Sequence, residues 1–239
     1  MLSFNQQYTP DPGDRELNAA VESLLASSSL KTVSKRNPLV YGRLLSAIAE
    51  AAQMTRPAAI RVVGDRKNEL KEFEDMLLAE GAMLVLNQKE FPGCFLYRSD
   101  PNDVARTEGD TYICTSGTKE DAGPTNNWLH TDEAKSRIYS VMKNTMKGKT
   151  MYVVPYWLGP LGSKYGQAGI EITDSPYVVA NLMIIARSGQ EAINEMSKAG
   201  SFVIGIHSTA KLDSKNRYIA HFPEENRGDG LILSVNTNY

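Results

Sequence analysis

Cysteine and histidine are scarce in this chain: two cysteines and three histidines occur in 239 residues. Cys94 and Cys114 are too few and too far apart for a disulfide framework or a CxxC metal knuckle, and they suit packing roles in a reduced compartment. His130, His207 and His221 show no HxH or HExxH spacing, so no metal site is expected within this chain. No uninterrupted apolar run approaches the roughly 18 residues that a membrane span needs, and the amino terminus carries no charged-then-apolar leader pattern. A cytoplasmic location away from membranes is the expectation. A net charge of −2 leaves no basic excess to replace phosphate counterions, which argues against a general nucleic-acid binder. A small-molecule partner is expected instead.

What is present is an ordinary globular composition, 41% hydrophobic, enough to core one large or two small domains. Residues 1–14 are polar and proline-spaced, and are expected to wrap or fray. Leu17, Val21, Leu24 and Leu25 recur at helical spacing, and Asn37 before Pro38 opens a second helix whose face is Tyr41, Leu44, Leu45, Ile48 and Ala52. Residues 58–63 (AAIRVV) predict a buried strand that turns at Gly64-Asp65 into a helix carrying Leu70, Phe73 and Leu77. A lone Gly-Asp turn is a cap rather than a nucleotide fingerprint. Met83 to Leu86 and Cys94 to Tyr97 predict a hairpin, Tyr112 to Thr115 a strand, 116–127 a loop, and 132–146 a helix.

The densest stretch is 150–187. An apolar, β-branched run stops at Pro155, a glycine-bearing loop follows, a second apolar run occupies 170–173, and Ser175-Pro176 fits an N-cap with proline at the first helical position. Asp174 and Ser175 are expected to meet the free backbone donors of that helix. The loop 159–169 has no Gly-Lys-Ser/Thr ending, so a structural loop is favoured over a phosphate cradle. Lys147 and Lys149 are expected near a helix end, where cations meet the dipole. Trp128 and Trp157 are expected to pack. A helix at 190–198 and strands at 201–207 and 231–235 follow. His207 and Ser208 are strand neighbours on opposite faces, so they cannot form a nucleophile dyad. The alternation points to an α/β fold, with α+β as the alternative, built on a mixed sheet flanked by helices.

Arg106, between a predicted turn and a strand, has a guanidinium able to grip a carboxylate or phosphate by two parallel hydrogen bonds. The bland alternative is a surface pair with Glu108 or Asp110. The string SDPNDVARTE around it resembles a segment of the GTP-dependent phosphoenolpyruvate carboxykinases. The likeness extends to Asn127-Trp128, to 146–155 (MKGKTMYVVP), to 159–163 (GPLGS), to 172–180 (ITDSPYVVA), to His207-Ser208, and to His221-Phe222-Pro223-Glu224. It spans roughly 56–239 and is poor over the first fifty residues. The stretch TAKLDSKNRYIA is shorter than its counterpart in the family, and the glycines that follow the family's substrate-side tyrosine are missing after Tyr239.

The resemblance implies that Arg106 binds the anionic groups of oxaloacetate or phosphoenolpyruvate and that Tyr239 lies against the substrate carboxylate. The helical amino-terminal segment (1–55) read from spacing is expected to pack on a substrate-binding lobe (56–239), which the resemblance makes the amino-terminal lobe of a two-lobed, monomeric enzyme. In that family the carboxy-terminal lobe holds the phosphate loop, the manganese ligands, a reactive cysteine and the guanine pocket, so manganese and GTP are expected in the full-length enzyme and not on this chain. The expected activity is conversion of oxaloacetate and GTP to phosphoenolpyruvate, GDP and carbon dioxide, in gluconeogenesis, with this chain alone inactive. A stand-alone small-anion-binding or interaction module is the alternative.

Overall fold

The computed structural model describes residues 12–64, 66–101, 103 and 107–237. Three helices come first: α1 (Pro12–Ser27), α2 (Lys31–Arg36) and α3 (Pro38–Thr55). Helix α3 begins where the sequence predicts. The Asn37 side chain accepts from Val40 N at 3.2 Å with Pro38 next to it, and the helix closes at Arg56 in the left-handed region (φ 53°). Val40, Leu44, Ala47, Ile48, Ala51 and Ala52 are buried along one stripe. Full burial of each larger member stabilises by about 1.5–3 kcal/mol. Arg56 also reaches Asp14 at 2.7 Å, tying α1 to the end of α3. The sequence suggested one helix before Asn37. A turn at 28–30, with Ser28 Oγ accepting from Leu30 N, makes two.

A nine-stranded mixed sheet follows, with β1 (Ala59–Val62), β4 (Thr111–Thr115), β5 (Asn127–His130), β6 (Thr150–Leu158), β7 (Gln167–Thr173), β8 (Arg187–Ser188), β9 (Val203–Ser208), β10 (Tyr218–Phe222) and β11 (Leu231–Val235). Their order is β1-β6-β7-β9-β11-β10-β4-β5, with β8 paired to β6. The predicted hairpin of β2 (Met83–Val85) and β3 (Phe95–Tyr97) forms a separate two-stranded sheet. Among the described residues four further α-helices complete the layers: α4 (Arg66–Ala79), α5 (Thr131–Met142), α6 (Pro176–Ile185) and α7 (Gln190–Ala199). The fold is α/β.

Besides the two-residue β8, two strands escape simple periodicity. Asn127 to His130 pairs in parallel with β4 rather than closing a loop, and Tyr218 to Phe222, which starts at the end of the shortened segment, pairs with both β11 and β4. Both are short, and neither alternates apolar and polar residues strongly enough to announce itself. The helix expected to reach residue 146 stops at Met142, and Asn144 N then donates to Met54 O at 2.9 Å.

Alternation sorts the sheet into two faces. Met151, Val153 and Trp157 of β6 face the main core with Ile170 and Ile172 of β7, Ile204 and Ile206 of β9, and Leu231, Leu233 and Val235 of β11. On the other face Tyr152 and Val154 pack with Phe73 and Leu77 of α4 and Val179 and Met183 of α6. The Phe73 and Tyr152 rings meet edge-on at 5.1 Å. That second cluster contains no residue of β9, β11, β10 or β4. There the outward positions fall in one register row, Glu171, Gly205, Ile232, His221 and Ile113. Ile232 and Ile113 are only half-buried.

Candidate functional site at the carboxyl edge of the central strands

Strands β7, β9 and β11 run parallel, so Thr173, Ser208 and Val235 end at the same edge of the sheet. Strand β6 is antiparallel to β7, and β4 opposes β11 through β10. The starts of β6 and β4, at Thr150 and Thr111, therefore lie at that edge too. In open α/β sheets this is where ligands are bound, outside the carboxyl ends of parallel strands.

Polar side chains accumulate there under burial. Asp103, Thr173, Asp174, Ser175, His207, Ser208, Arg217, Asn236 and Thr237 are all buried, and they form two linked knots. In the first, the Asp174 carboxylate, with a fully buried side chain, accepts from Lys149 Nζ at 2.6 Å, Ser208 Oγ at 3.0 Å and Thr209 N at 2.9 Å. This corrects two sequence expectations. Ser175 alone caps α6, accepting from Val178 N at 3.3 Å, while Asp174 turns back into the edge. Lys149 neutralises Asp174 rather than a helix end. A buried carboxylate is tolerable only with such donors, and a charge relieves burial more than a dipole does.

The second knot starts at Ser175 N, which donates to Thr173 Oγ1 at 3.0 Å. Thr173 Oγ1 lies 2.7 Å from His207 Nδ1, and His207 Nε2 lies 2.6 Å from Thr237 O. Thr237 Oγ1 donates to Asp103 Oδ1 at 3.3 Å. Burial lowers the His207 pKa below its ordinary value, against the raising influence of Asp174 and Asp103. His207 and Ser208 serve different knots, in keeping with their opposite faces.

The segment after β11 is held from several sides. Asn236 adopts a left-handed backbone (φ 61°), which asparagine tolerates better than most residues. Its N–H donates to Ser208 O at 3.0 Å, its side chain donates to Asn216 O at 2.7 Å and accepts from Lys211 N at 3.3 Å, and its carbonyl accepts from Arg217 Nε at 3.4 Å. Arg217 also approaches Asp110 at 3.7 Å.

The two sequence-predicted site residues, Arg106 and Tyr239, lie outside the described residues, as does Asp65. Their chain neighbours do not. Asp103 stands three positions before Arg106, Thr237 two before Tyr239, and the contact between them brings the two flanking segments to one place. Sequence reasoning missed His207, Asp103 and Asn236 as members of this assembly. The available signal was that the His207-Ser208 pair and the Asp174-Ser175 pair both close predicted strands.

On the α4 side of the Lys149–Asp174 pair lies a cleft of about 410 Å³, lined among others by Met76, Tyr97, Tyr177 and Thr209. The Tyr97 and Tyr177 rings stack at 3.6 Å. The glycine loop after β6 is occupied by the protein itself: Gly162 N donates to Glu195 Oε2 at 3.1 Å, and Arg187 Nη1 to Gly159 O at 2.6 Å. The turn at Gly64 is likewise satisfied internally, donating to Glu69 Oε2 at 2.7 Å. Trp157 and Trp128 pack, with ring N–H groups on Pro160 O and Thr115 Oγ1. Among the described residues no three His, Cys, Asp or Glu side chains converge to hold a metal ion, and no described helix is long and apolar enough to cross a membrane.

The class that the structure defines is an α/β domain with a polar, heavily cross-linked edge at the carboxyl ends of its central strands. Residues 46–239 match the sequence model of the phosphoenolpyruvate carboxykinase N-terminal domain, and the chain belongs to that family. Among its relatives, phosphoenolpyruvate carboxykinase [GTP] of Anaeromyxobacter dehalogenans strain 2CP-C is 39% identical over 210 residues, covering 88% of this chain and 34% of that protein. The Neocallimastix frontalis enzyme of the same name is 40% identical over 213 residues, covering 84% and 34%. That of Chlamydia abortus is 42% identical over 204 residues, covering 80% and 33%. The chain thus spans about a third of the length of the curated relatives it matches.

Proposed function

We propose that this chain is the substrate side of a cytoplasmic, monomeric enzyme that converts oxaloacetate and GTP to phosphoenolpyruvate, GDP and carbon dioxide. The observation that carries the reading is the Thr237–Asp103 contact at the carboxyl edge, which joins the segments leading to Tyr239 and Arg106 in a family member. In this reaction the bond from C3 to the departing carboxyl group breaks, carbon dioxide leaves, and the electron pair becomes an enolate. The enolate oxygen then attacks the γ-phosphorus in line and GDP departs. Charge grows on the enolate and phosphoryl oxygens, so fixed cations and positioned donors supply most of the barrier lowering. Arg106 grips the substrate anion by its planar fork, and Tyr239 lies against its carboxylate.

Manganese and GTP are assigned, by the family resemblance, to the carboxy-terminal part of a full-length protein. This chain alone is inactive. A half-cleft meets the entropic cost of association with few contacts, so it binds phosphoenolpyruvate only weakly.

Titration of the chain with phosphoenolpyruvate, followed by NMR, tests the site. Saturable shifts at 107–111 and 236–237 are expected, and Arg106→Lys should abolish them. Shifts that survive Arg106→Lys sink the assignment, and GTP-dependent release of carbon dioxide by the chain alone overturns the division of labour. Tight, metal-independent binding would favour the stand-alone anion-binding module.

A further inference from the structure

The His207 side chain touches both the end of β7 and the segment that follows β11, through Thr173 and Thr237. Its two ring nitrogens have fixed roles. A backbone carbonyl only accepts, so Nε2 must carry the proton that it donates to Thr237 O. Burial favours the uncharged ring, which leaves Nδ1 as the acceptor. The Thr173 hydroxyl donates to it while its oxygen receives the Ser175 N–H. Every group in the series Ser175, Thr173, His207, Thr237 and Asp103 then has one direction, running from the start of α6 to the segment before Arg106.

We propose that neutral His207, as the Nε2–H tautomer, is a positioning residue: it clamps the 236–237 turn, which precedes Tyr239 in the sequence, against Asp103. The proposal rests on the substrate-side reading above for its purpose, but not for its test. Thr237 is thereby held at both its carbonyl and its hydroxyl. Substrate binding to a pre-set geometry avoids the ordering cost that a loose segment would incur.

The clamp is also directional in pH. Protonation would put a second N–H on the ring at Nδ1, which reverses the Thr173 bond and adds a charge under burial. The charged groups around the ring are Asp174 after β7, Asp103 before Arg106, and Lys149 before β6. The first two favour the proton and the third opposes it, but burial outweighs them and keeps the ring neutral, so the clamp loosens on acidification.

Two measurements on the chain test this without any ligand. Imidazole nitrogen NMR of the wild type should show His207 with Nδ1 bare and Nε2 protonated from pH 8 down through pH 6. Observation of the Nδ1–H tautomer, or of titration at an ordinary histidine pKa, overturns the assignment. Amide exchange should then rise at least tenfold at residues 236–237 in His207→Leu, with β1 and β6 unchanged, while His207→Gln, which keeps a donor and an acceptor, recovers part of the protection. Unchanged protection at 236–237 in a folded His207→Leu chain, or global loss in both variants, overturns the clamp. Loss of phosphoenolpyruvate binding in Arg106→Lys reports on the substrate reading alone, so the two can fail separately.

Discussion

The carboxyl edge of the sheet and its outward face one row inward treat buried acid in opposite ways. At the edge, the fully buried Asp174 carboxylate collects a lysine, a hydroxyl and a backbone amide. One row inward, half-buried Glu171 accepts no hydrogen bond from any described residue. Burial alone pushes its carboxyl up to about 8. Polar groups bonded within the protein specify a geometry, whereas a carboxyl that no described group meets holds its proton where burial disfavours its charge. The contrast separates a part of the lobe built to hold positions from one whose polar group still lacks a partner.

The largest break comes from the edge. Asp174→Ala strands Ser208, Thr209 and Lys149 together, and urea denaturation should show a loss of about 3 kcal/mol, in the range for removing one member of a buried pair. Lys149→Met should lose less, about 2 kcal/mol, because the buried Asp174 carboxylate loses its counter-ion but keeps Ser208 and Thr209 as donors. Equal losses for the two variants would contradict the view that Asp174 is the hub. A loss of phosphoenolpyruvate shifts at 236–237 in Asp174→Ala is expected in the same sample.

The next effect is one of pH. The Glu171 carboxyl goes from an ordinary 4.5 to about 8 on folding, so between those values the folded state keeps a proton that the unfolded state has released. Stability from this group is therefore present below about pH 4.5 and is lost as pH rises toward 8. Glu171→Gln removes the titration. The variant should match the wild type near pH 5 and exceed it by roughly 1–2 kcal/mol at pH 8. Parallel stability curves from pH 5 to 8 would show that the carboxyl has found a partner. His207 contributes the opposite slope: its depressed pKa means stability is lost as pH falls through the ordinary histidine value. Denaturation of His207→Gln should show a flatter acid limb.

Much of this edge was legible in the sequence because its local signals are strong. Asn37-Pro38 and Ser175-Pro176 mark helix starts by capping chemistry, and the apolar runs of β6, β7, β9 and β11 mark buried strands. The family motifs stood out for the same stretches. Which acid meets which base was not legible. Asp174 and Lys149 are 25 positions apart, Thr237 and Asp103 are 134 apart, and only strand order decides that they meet. Strands β5 and β10 were missed because tertiary pairing, rather than local pattern, selects their conformation. Glu171 was passed over for a related reason: a lone acid in an apolar run reads as an edge position until its neighbour is known to be glycine.

That neighbour supplies the finest test of the comparison. Gly205 stands opposite Glu171 in the β7–β9 register, and a Cβ placed there would come within 2.1 Å of Glu171 Oε2. Its three nearest atoms all belong to that carboxyl. Tyr156 uses the same device, its ring lying across Gly169, where an added Cβ would fall 2.1 Å from the ring. Side chains laid flat over glycines keep this face of the sheet low. Glycine inside a strand is otherwise unfavourable by roughly 0.5–1 kcal/mol relative to alanine, so the native choice makes sense only if the carboxyl needs the room. Gly205→Ala alone should destabilise by about 1 kcal/mol, because the crowded group is the movable end of a side chain. In a Glu171→Ala background the same change should be neutral or stabilising. A double-mutant cycle should therefore give a coupling of about 1 kcal/mol between positions 171 and 205. Additive effects would place the carboxyl elsewhere, and the distinction between a satisfied edge and an unsatisfied face would lose its second member.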